Sequence, residues 1–282
     1  MKRPKSLLLG FLFVMASPCA QADWRLEAET GALYQSNLSN SDRASDVRDD
    51  WAWTAAARVS NGFQLGRDLR LNLGADLQSD VWARYNGFNQ IGATASAGLR
   101  YRFGLGRQAP WVLLEEGIGY HRFDETFRNG WNETVGVRGG VAISERIALE
   151  AGYSFTNFAA PNDFFDLQGH RASARLIFDA TPALQIGLGY SYHEGDVISY
   201  AVPARPDIVG IALVRPSVPT FGDNPRYNAY RLRGQTHAVS VSAGYTLTKY
   251  LSFQMTYEFS TTSHDPLRYD NHLVEAKIAF AY

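Results

Sequence analysis

"TPALQIGLGYSY", residues 181–192, is the stretch that decides the fold. After a short turn its side chains fall into two sets: Leu184, Ile186, Leu188, Tyr190 and Tyr192 against Gln185, Gly187, Gly189 and Ser191. A period of two is the signature of a β-strand, whose successive side chains point to opposite faces. Helical spacing would group Leu184 and Leu188 with Gly187, a face of no consistent character. "GRDLRLNLGADL" (66–77), "SERIALEAGYSF" (144–155) and "TKYLSFQMTYEF" (248–259) repeat the pattern, each behind its own polar turn.

Working outward, twelve such segments run near 23–37, 51–62, 68–83, 90–103, 110–125, 132–143, 147–159, 168–180, 184–199, 234–247, 250–264 and 271–282. They exceed the five or six residues usual for globular strands. They match the roughly 9–11 residues that a tilted strand needs to cross a bilayer, plus extensions. The connections alternate in length. Those at 63–67, 104–109, 144–146, 181–183 and 248–249 are short, and those at 38–50, 84–89, 126–131, 160–167, 200–233 and 265–270 are longer. Short turns on one side and long loops on the other predict an all-β protein: a transmembrane up-and-down antiparallel β-barrel of about 12 strands, one domain over 23–282.

The soluble rival is a large secreted β-sandwich, whose strands alternate in a similar way. Three features favour the membrane. One face carries Leu, Val, Phe and Tyr in nearly every segment, and the other Gly, Ser, Thr and Arg. Aromatics gather at segment ends, with Trp24, Phe103, Trp111, Tyr250 and Tyr282 near the short turns. Tyr34, Trp51, Trp53, Trp82, Phe155, Phe158 and Phe259 lie near the long loops, which predicts two interfacial girdles. The alternation also continues through the final residue, as a sheet without an edge in lipid requires.

Lys2, Arg3 and Lys5, the apolar run Leu7–Ala16, Pro18 and then Ala20-Gln21-Ala22 predict a signal peptide over 1–22, cleaved after Ala22. Ten apolar residues are too few for a membrane-spanning helix. Removing three of the 27 basic residues, against 28 acidic ones, leaves a net charge of about −4 and no basic run for nucleic acid. The only cysteine, Cys19, leaves with the peptide, so disulfides contribute nothing to stability.

Assigning the apolar set to lipid leaves a charged inner face. Arg58, Arg70, Asp76, Arg100, Arg102, Arg138, Glu150, Arg171, Arg175 and Glu258 are the pore-lining candidates. Arg25, Glu27, Glu29, Asp80, His193, Glu275 and Lys277 share that face. They fit either guanidinium–carboxylate networks filling a modest bore or a water-filled pore biased toward anions. Glu115 and Glu116 are adjacent, so one points toward lipid under simple alternation, and either a bulge turns both inward or the strand protrudes far enough to set that charge at an interface.

The longest connection, 200–233, holds five prolines, which argue against a regular strand through its middle. Its apolar run "DIVGIALV" (207–214) predicts folding into the lumen or packing on a neighbour, with Arg205, Arg215 and Arg226 as constriction candidates. The C-terminal aromatic Tyr282, with Ile278 and Phe280 before it, resembles the signal by which the bacterial barrel-assembly machinery recognises its clients, a resemblance that implies that partner. Outer-membrane lipids and lipopolysaccharide are the expected surroundings, with room for an envelope partner.

Catalytic chemistry finds little support. His170 and Ser173 fall on opposite strand faces, and the His-x-Ser pairing of the twelve-stranded outer-membrane phospholipase A family is missing. The acidic loops "SDRASDVRDD" (41–50) and "NDFFD" (162–166) offer carboxylates for calcium or for cations bridging lipopolysaccharide, and more simply solvated charges. No metal-ligand spacing or phosphate loop is present, so neither a metal nor a cofactor is expected.

"GALYQSNLS" (31–39), "FGLGRQAPWVLL" (103–114), "GYSYHEGDVIS" (189–199) and "FGDNPRYNAYRLRGQTHAVSVSAGY" (221–245) carry a resemblance to uncharacterised bacterial outer-membrane β-barrel proteins. The resemblance implies the barrel and its outer-membrane location, but no activity. The leading expectation is a narrow channel for small solutes with 200–233 as constriction or plug. The alternatives are a closed structural or export-partner barrel and an outer-membrane lipid hydrolase.

Overall fold

The computed structural model describes residues 23–106, 108–202, 204–222 and 225–282. The segment 1–22, read above as a signal peptide, lies outside the described residues. The strands are β1 (Asp23–Gln35), β2 (Asp50–Gln64), β3 (Leu69–Trp82), β4 (Gln90–Arg102), β5 (Trp111–Phe123), β6 (Gly130–Ala142) and β7 (Ile147–Ala159). They continue as β8 (Leu167–Asp179), β9 (Leu184–Ala201), β10 (Leu213–Val218), β11 (Tyr227–Thr246), β12 (Leu251–His264) and β13 (Leu267–Ala281). A four-residue helix, α1 (Pro206–Val209), precedes β10.

Twelve of these strands form one closed antiparallel sheet. Each pairs with its neighbour in sequence, β11 pairs with β9 across the intervening β10, and β13 returns to β1. At the seam Leu26 N–H donates to Tyr282 O and Tyr282 N–H donates to Leu26 O, at 2.9 and 2.8 Å. Closure is what hydrocarbon demands, since each unpaired backbone group there costs several kcal/mol.

The outer wall is apolar and bare. Leu26, Leu77, Ile91, Leu114, Ile118, Val135, Leu188, Val239 and Ile278 are all exposed. Such a belt would drive aggregation in water and is the solvated face in lipid. Trp24, Phe103, Tyr250 and Tyr282 stand exposed at the short-turn end, with Trp51, Trp53, Trp131 and Phe259 at the other. The protein is an integral β-barrel of the bacterial outer membrane. Among the described residues no helix is long and apolar enough to cross a membrane.

Three expectations need correction, and one alternative left open is decided. Trp82, Trp111 and Phe158 do not join the girdles: strand parity turns them inward, and Trp82 is 8% exposed. No bulge relieves Glu115 and Glu116, because β5 keeps unbroken register with β4 and β6. Glu115 faces the lumen, while Glu116, the sixth of thirteen residues, lies between Leu114 and Ile118 on the lipid side. The connection 265–270 shrinks to a two-residue turn, and β11 begins at Tyr227, seven residues before the alternation shows it.

A strand does run through the proline-rich connection. β10 contains Pro216, placed where the register with β11 breaks between Arg215 and Val218, and Ser217 adopts a positive φ of 58°. A proline is tolerated at such a bulge because no ladder hydrogen bond is asked of its nitrogen. β10 answers a need created by length. Pairing of β11 with β12 ends at Gln235, so residues 227–231 would expose an open edge, and β10 covers it.

Candidate functional site

The inner wall follows from strand parity. Arg58, Arg70, Asp76, Arg100, Arg102, Arg138, Glu150, Arg171, Arg175 and Glu258 all alternate with the outward apolar set and project to the inside. Register then decides which of them meet. Arg58 is hydrogen-bonded to Asp76, its direct cross-strand partner. Arg138 Nη2 lies 3.1 Å from Glu115 Oε2, and Lys277 Nζ lies 3.3 Å from Glu29 and 3.5 Å from Glu275. Arg171 and Arg175 donate to Ser191 and Ser242 hydroxyls, each at 3.1 Å. Both partners of Arg138–Glu115 stay substantially exposed, so that pair contributes no more than about 1 kcal/mol.

The charges are unevenly spread around the wall. Acids dominate β12, β13 and β1 through Glu258, Glu275, Glu27 and Glu29, with Lys277 among them. Arginines dominate β4, β6 and β8 on the other side, while β3 carries Arg70 together with Asp76 and Asp80. Arg70, Arg100 and Arg102 make no ion pair among the described residues.

The outer end is built differently. Leu38, Trp82, Phe164, Phe165, Tyr200, Val218, Phe221 and Tyr227 form one buried cluster, with Tyr85, Phe88 and Phe127 packed against it. Phe221 is its hub, with ring centroids at 4.9 Å to Tyr85, 5.4 Å to Phe88, 5.1 Å to Tyr200 and 4.9 Å to Tyr227. Beside it Thr220 Oγ1 donates to Glu125 Oε2 at 2.9 Å, with both residues buried. The Arg128 guanidinium lies among the rings of Phe88, Phe123, Phe165 and Tyr200 at 4.5–5.9 Å and donates to Tyr200 Oη at 2.7 Å. Such cation–π contacts gain strength when desolvated. Burial pushes the Glu125 carboxyl up, against the opposing pull of Arg128, Thr220 and Arg215.

Three loops reach this cluster by one local design. A 3-10 turn carrying phenylalanine ends on an Asn or Asp whose side chain caps the strand just left. Asn89, Asn129 and Asp166 accept from the backbone N–H of Trp82, Phe123 and Ala160, each at 2.7 Å. The sequence signal is there in "NGFN" (86–89), "TFRN" (126–129) and "DFFD" (163–166), and it lies outside the two-residue alternation of the strands. Within "NDFFD", the side chains of Asn162 and Asp166 serve loop structure, accepting from the backbone N–H groups of Phe164 and Ala160. In the 41–50 acidic loop, Asp50 binds the backbone N–H groups of Trp51, Arg84 and Tyr85, and Asp49 pairs with Arg84 at 2.9 Å. Among the described residues no group of three or more His, Cys, Asp or Glu is placed to hold a metal ion.

The arginines of the long connection have separate tasks. Arg205, 2% exposed, is held by Asp42 and Asp207, the latter at 2.6 Å, and its backbone N–H donates to Tyr230 Oη. That guanidinium holds Asp207 down to about 2. It is engaged in fastening the loop. Arg215 stacks over Phe127 at 4.4 Å, and Arg226 sits exposed just before β11. Of the apolar run 207–214 only Ile208 is buried, against Tyr230, Leu232, Leu267 and Tyr269, whereas Val209, Ile211, Leu213 and Val214 remain exposed. Val218 and Phe221, outside the run, do the packing expected of it.

Three of the six histidines pair with tyrosines on the outer wall. His170, His237 and His272 face outward, their Nδ1 atoms 2.6, 2.8 and 2.8 Å from the hydroxyls of Tyr153, Tyr190 and Tyr257. Ser173 projects inward from the same strand as His170. At the C-terminus Ile278, Phe280 and Tyr282 are exposed on the outer wall.

Among solved structures, the chain is similar to an outer membrane channel from Pseudomonas putida F1, at 12% identity and a TM-score of 0.63 over 95% of this chain and 97% of that one. Identity at this level speaks to the fold alone. The TodX monoaromatic hydrocarbon channel and the NanC porin align over 94% and 90% of this chain and 90% and 98% of theirs. Their identities are 8% and 11% and their TM-scores 0.47 and 0.46, too low to bear on the argument. No protein-family model and no curated protein matches the sequence.

Proposed function

We propose that the protein is an outer-membrane channel for small polar solutes, with the connection 202–226 setting the constriction at the outer mouth. The observation that carries this reading is the Phe221-centred cluster, which joins that connection to the loops after β3, β5 and β7. A charged inner wall whose paired side chains stay open to water supports it. The test is conductance in planar bilayers. The intact barrel should give small events, and removal of 204–222 should enlarge them several-fold. Silence from both proteins would sink the reading.

A closed structural or export-partner barrel is the second reading, favoured by the complete burial of Tyr200, Tyr227 and Val218 at the mouth. It predicts no conductance and co-purification with another envelope component. On either reading the exposed Ile278, Phe280 and Tyr282 serve recognition by the barrel-assembly machinery, and lipid and lipopolysaccharide surround the wall.

A further inference from the structure

At the short-turn end of the lumen lies a cavity of about 390 Å3 whose lining includes Arg67, Arg70, Arg100, Arg102 and Trp111, with Asp68 and Glu150 as its acids. Its charge is organised rather than diffuse. Arg70 and Arg100 are direct register partners on β3 and β4, like charges set side by side, an arrangement that destabilises a sheet. Arg102 follows on the same face and is fixed by donation to Gly106 O in the turn. The Arg100 guanidinium lies 4.4 Å over the Trp111 ring, and Trp111 in turn lies on Gly140, where a Cβ would come within 2.7 Å of the indole. Arg70 lies likewise over Gly62.

Four other acids of the inner wall are engaged elsewhere, and among the described residues the cavity's own Asp68 and Glu150 form no ion pair with Arg70, Arg100 or Arg102. Asp76 serves Arg58, Glu115 serves Arg138, and Glu29 and Glu275 serve Lys277. Arg25, Arg58, Arg138 and Lys277 each have a carboxylate, whereas Arg70, Arg100 and Arg102 have none among the described residues. Guanidinium groups in register, seated on glycine and indole, outnumbering the two acids of the cavity and directly paired with neither, match the two-oxygen geometry of phosphate and carboxylate.

We propose that this end of the lumen is a binding site for a multiply charged anionic group, a phosphate ester or polycarboxylate, held by Arg70, Arg100 and Arg102 with Arg67 at the rim. It deepens the channel reading by naming the class of solute that would pause there, and it faces the periplasm. Charge-assisted hydrogen bonds are the strong ones, so the site requires no burial.

The test is direct binding of pyrophosphate, and separately of citrate, to the purified folded barrel by isothermal titration calorimetry at low salt. Saturable binding is expected, weakened at least about tenfold in Arg70→Gln and in Arg100→Gln. It should fade as salt is raised. Glu150→Gln, which removes a nearby acid, should tighten it. Circular dichroism checks that each variant keeps its strands. The proposal fails if neither anion binds saturably, or if Arg70→Gln and Arg100→Gln bind as the parent does. Binding without conductance would sink the channel reading alone, and conductance without binding would sink this site alone.

Discussion

Glu125 shows how one side chain can make the outer mouth respond to pH. Burial raises its folded value above the ordinary 4.5, so the closed cap binds a proton that an opened, solvated loop releases. The contribution is therefore greatest at the acid side of that window and is lost as pH rises through the raised value. The protection factors of 204–222 in hydrogen exchange, corrected for the intrinsic rise of amide exchange with pH, should fall as pH rises above 4.5, and Glu125→Gln should flatten that fall. Asp207 works in the opposite direction, its pairing with Arg205 lost only as pH falls from 3.8 toward about 2. Glu116 makes a different prediction. A carboxyl between Leu114 and Ile118 on the lipid face carries a depth-dependent cost, so Glu116→Leu should stabilise the barrel by about 1 kcal/mol in vesicle unfolding. Destabilisation would mean that the carboxyl has a partner within the membrane. Which face a residue takes was legible in parity. Trp82, Trp111 and Phe158 were misplaced because the girdle rule reads position along a strand and ignores parity.

Among the elements, β10 and the three capping loops carry what alternation could not reveal. β11 from Tyr227 to Gly234 is buried on both sides at Tyr227, Ala229, Tyr230 and Leu232, so no period of two marks it as strand. β10 holds a proline inside a bulge, which sequence rules read as a break. The loop contacts join residues far apart in the chain, Glu125 to Thr220 and Arg128 to Tyr200, and no local pattern announces them. Phe221→Ala should release this assembly. Truncating a buried phenylalanine costs about 3–5 kcal/mol where packing is complete. Here the loss should fall on the cap, with faster proteolysis within 204–222 and no change in the melting of the strands. A drop in barrel stability of that size would show the cap and wall to be one cooperative unit.

For the whole molecule, the bilayer explains why the fold was readable. A lipid solvent fixes strand length and demands closure, and both leave their mark on every segment. The lumen was legible as a set of charged residues but not as a set of pairs, because register comes from turns and strand offsets. Thus Glu115 emerged as the partner of Arg138, and Asp76 proved unavailable to Arg70, only once the strands were aligned. If the outward C-terminal residues guide assembly, Phe280→Ala combined with Tyr282→Ala should lower the yield of membrane-inserted barrel several-fold in cells, measured by its resistance to urea extraction. Unchanged yield would remove that role.

The seam adds a consequence of timing. β1 finds one of its two partners in β13, across nearly the whole length of the described chain, through pairs such as Ala28 with Phe280. Contacts of such wide separation form late, because the intervening chain must surrender its freedom first. Until β13 arrives, β1 presents a bare row of amide and carbonyl groups. The last ladder to form is thus also the lock, and a chain stalled before it would be an open sheet ready to pair with the wrong neighbour.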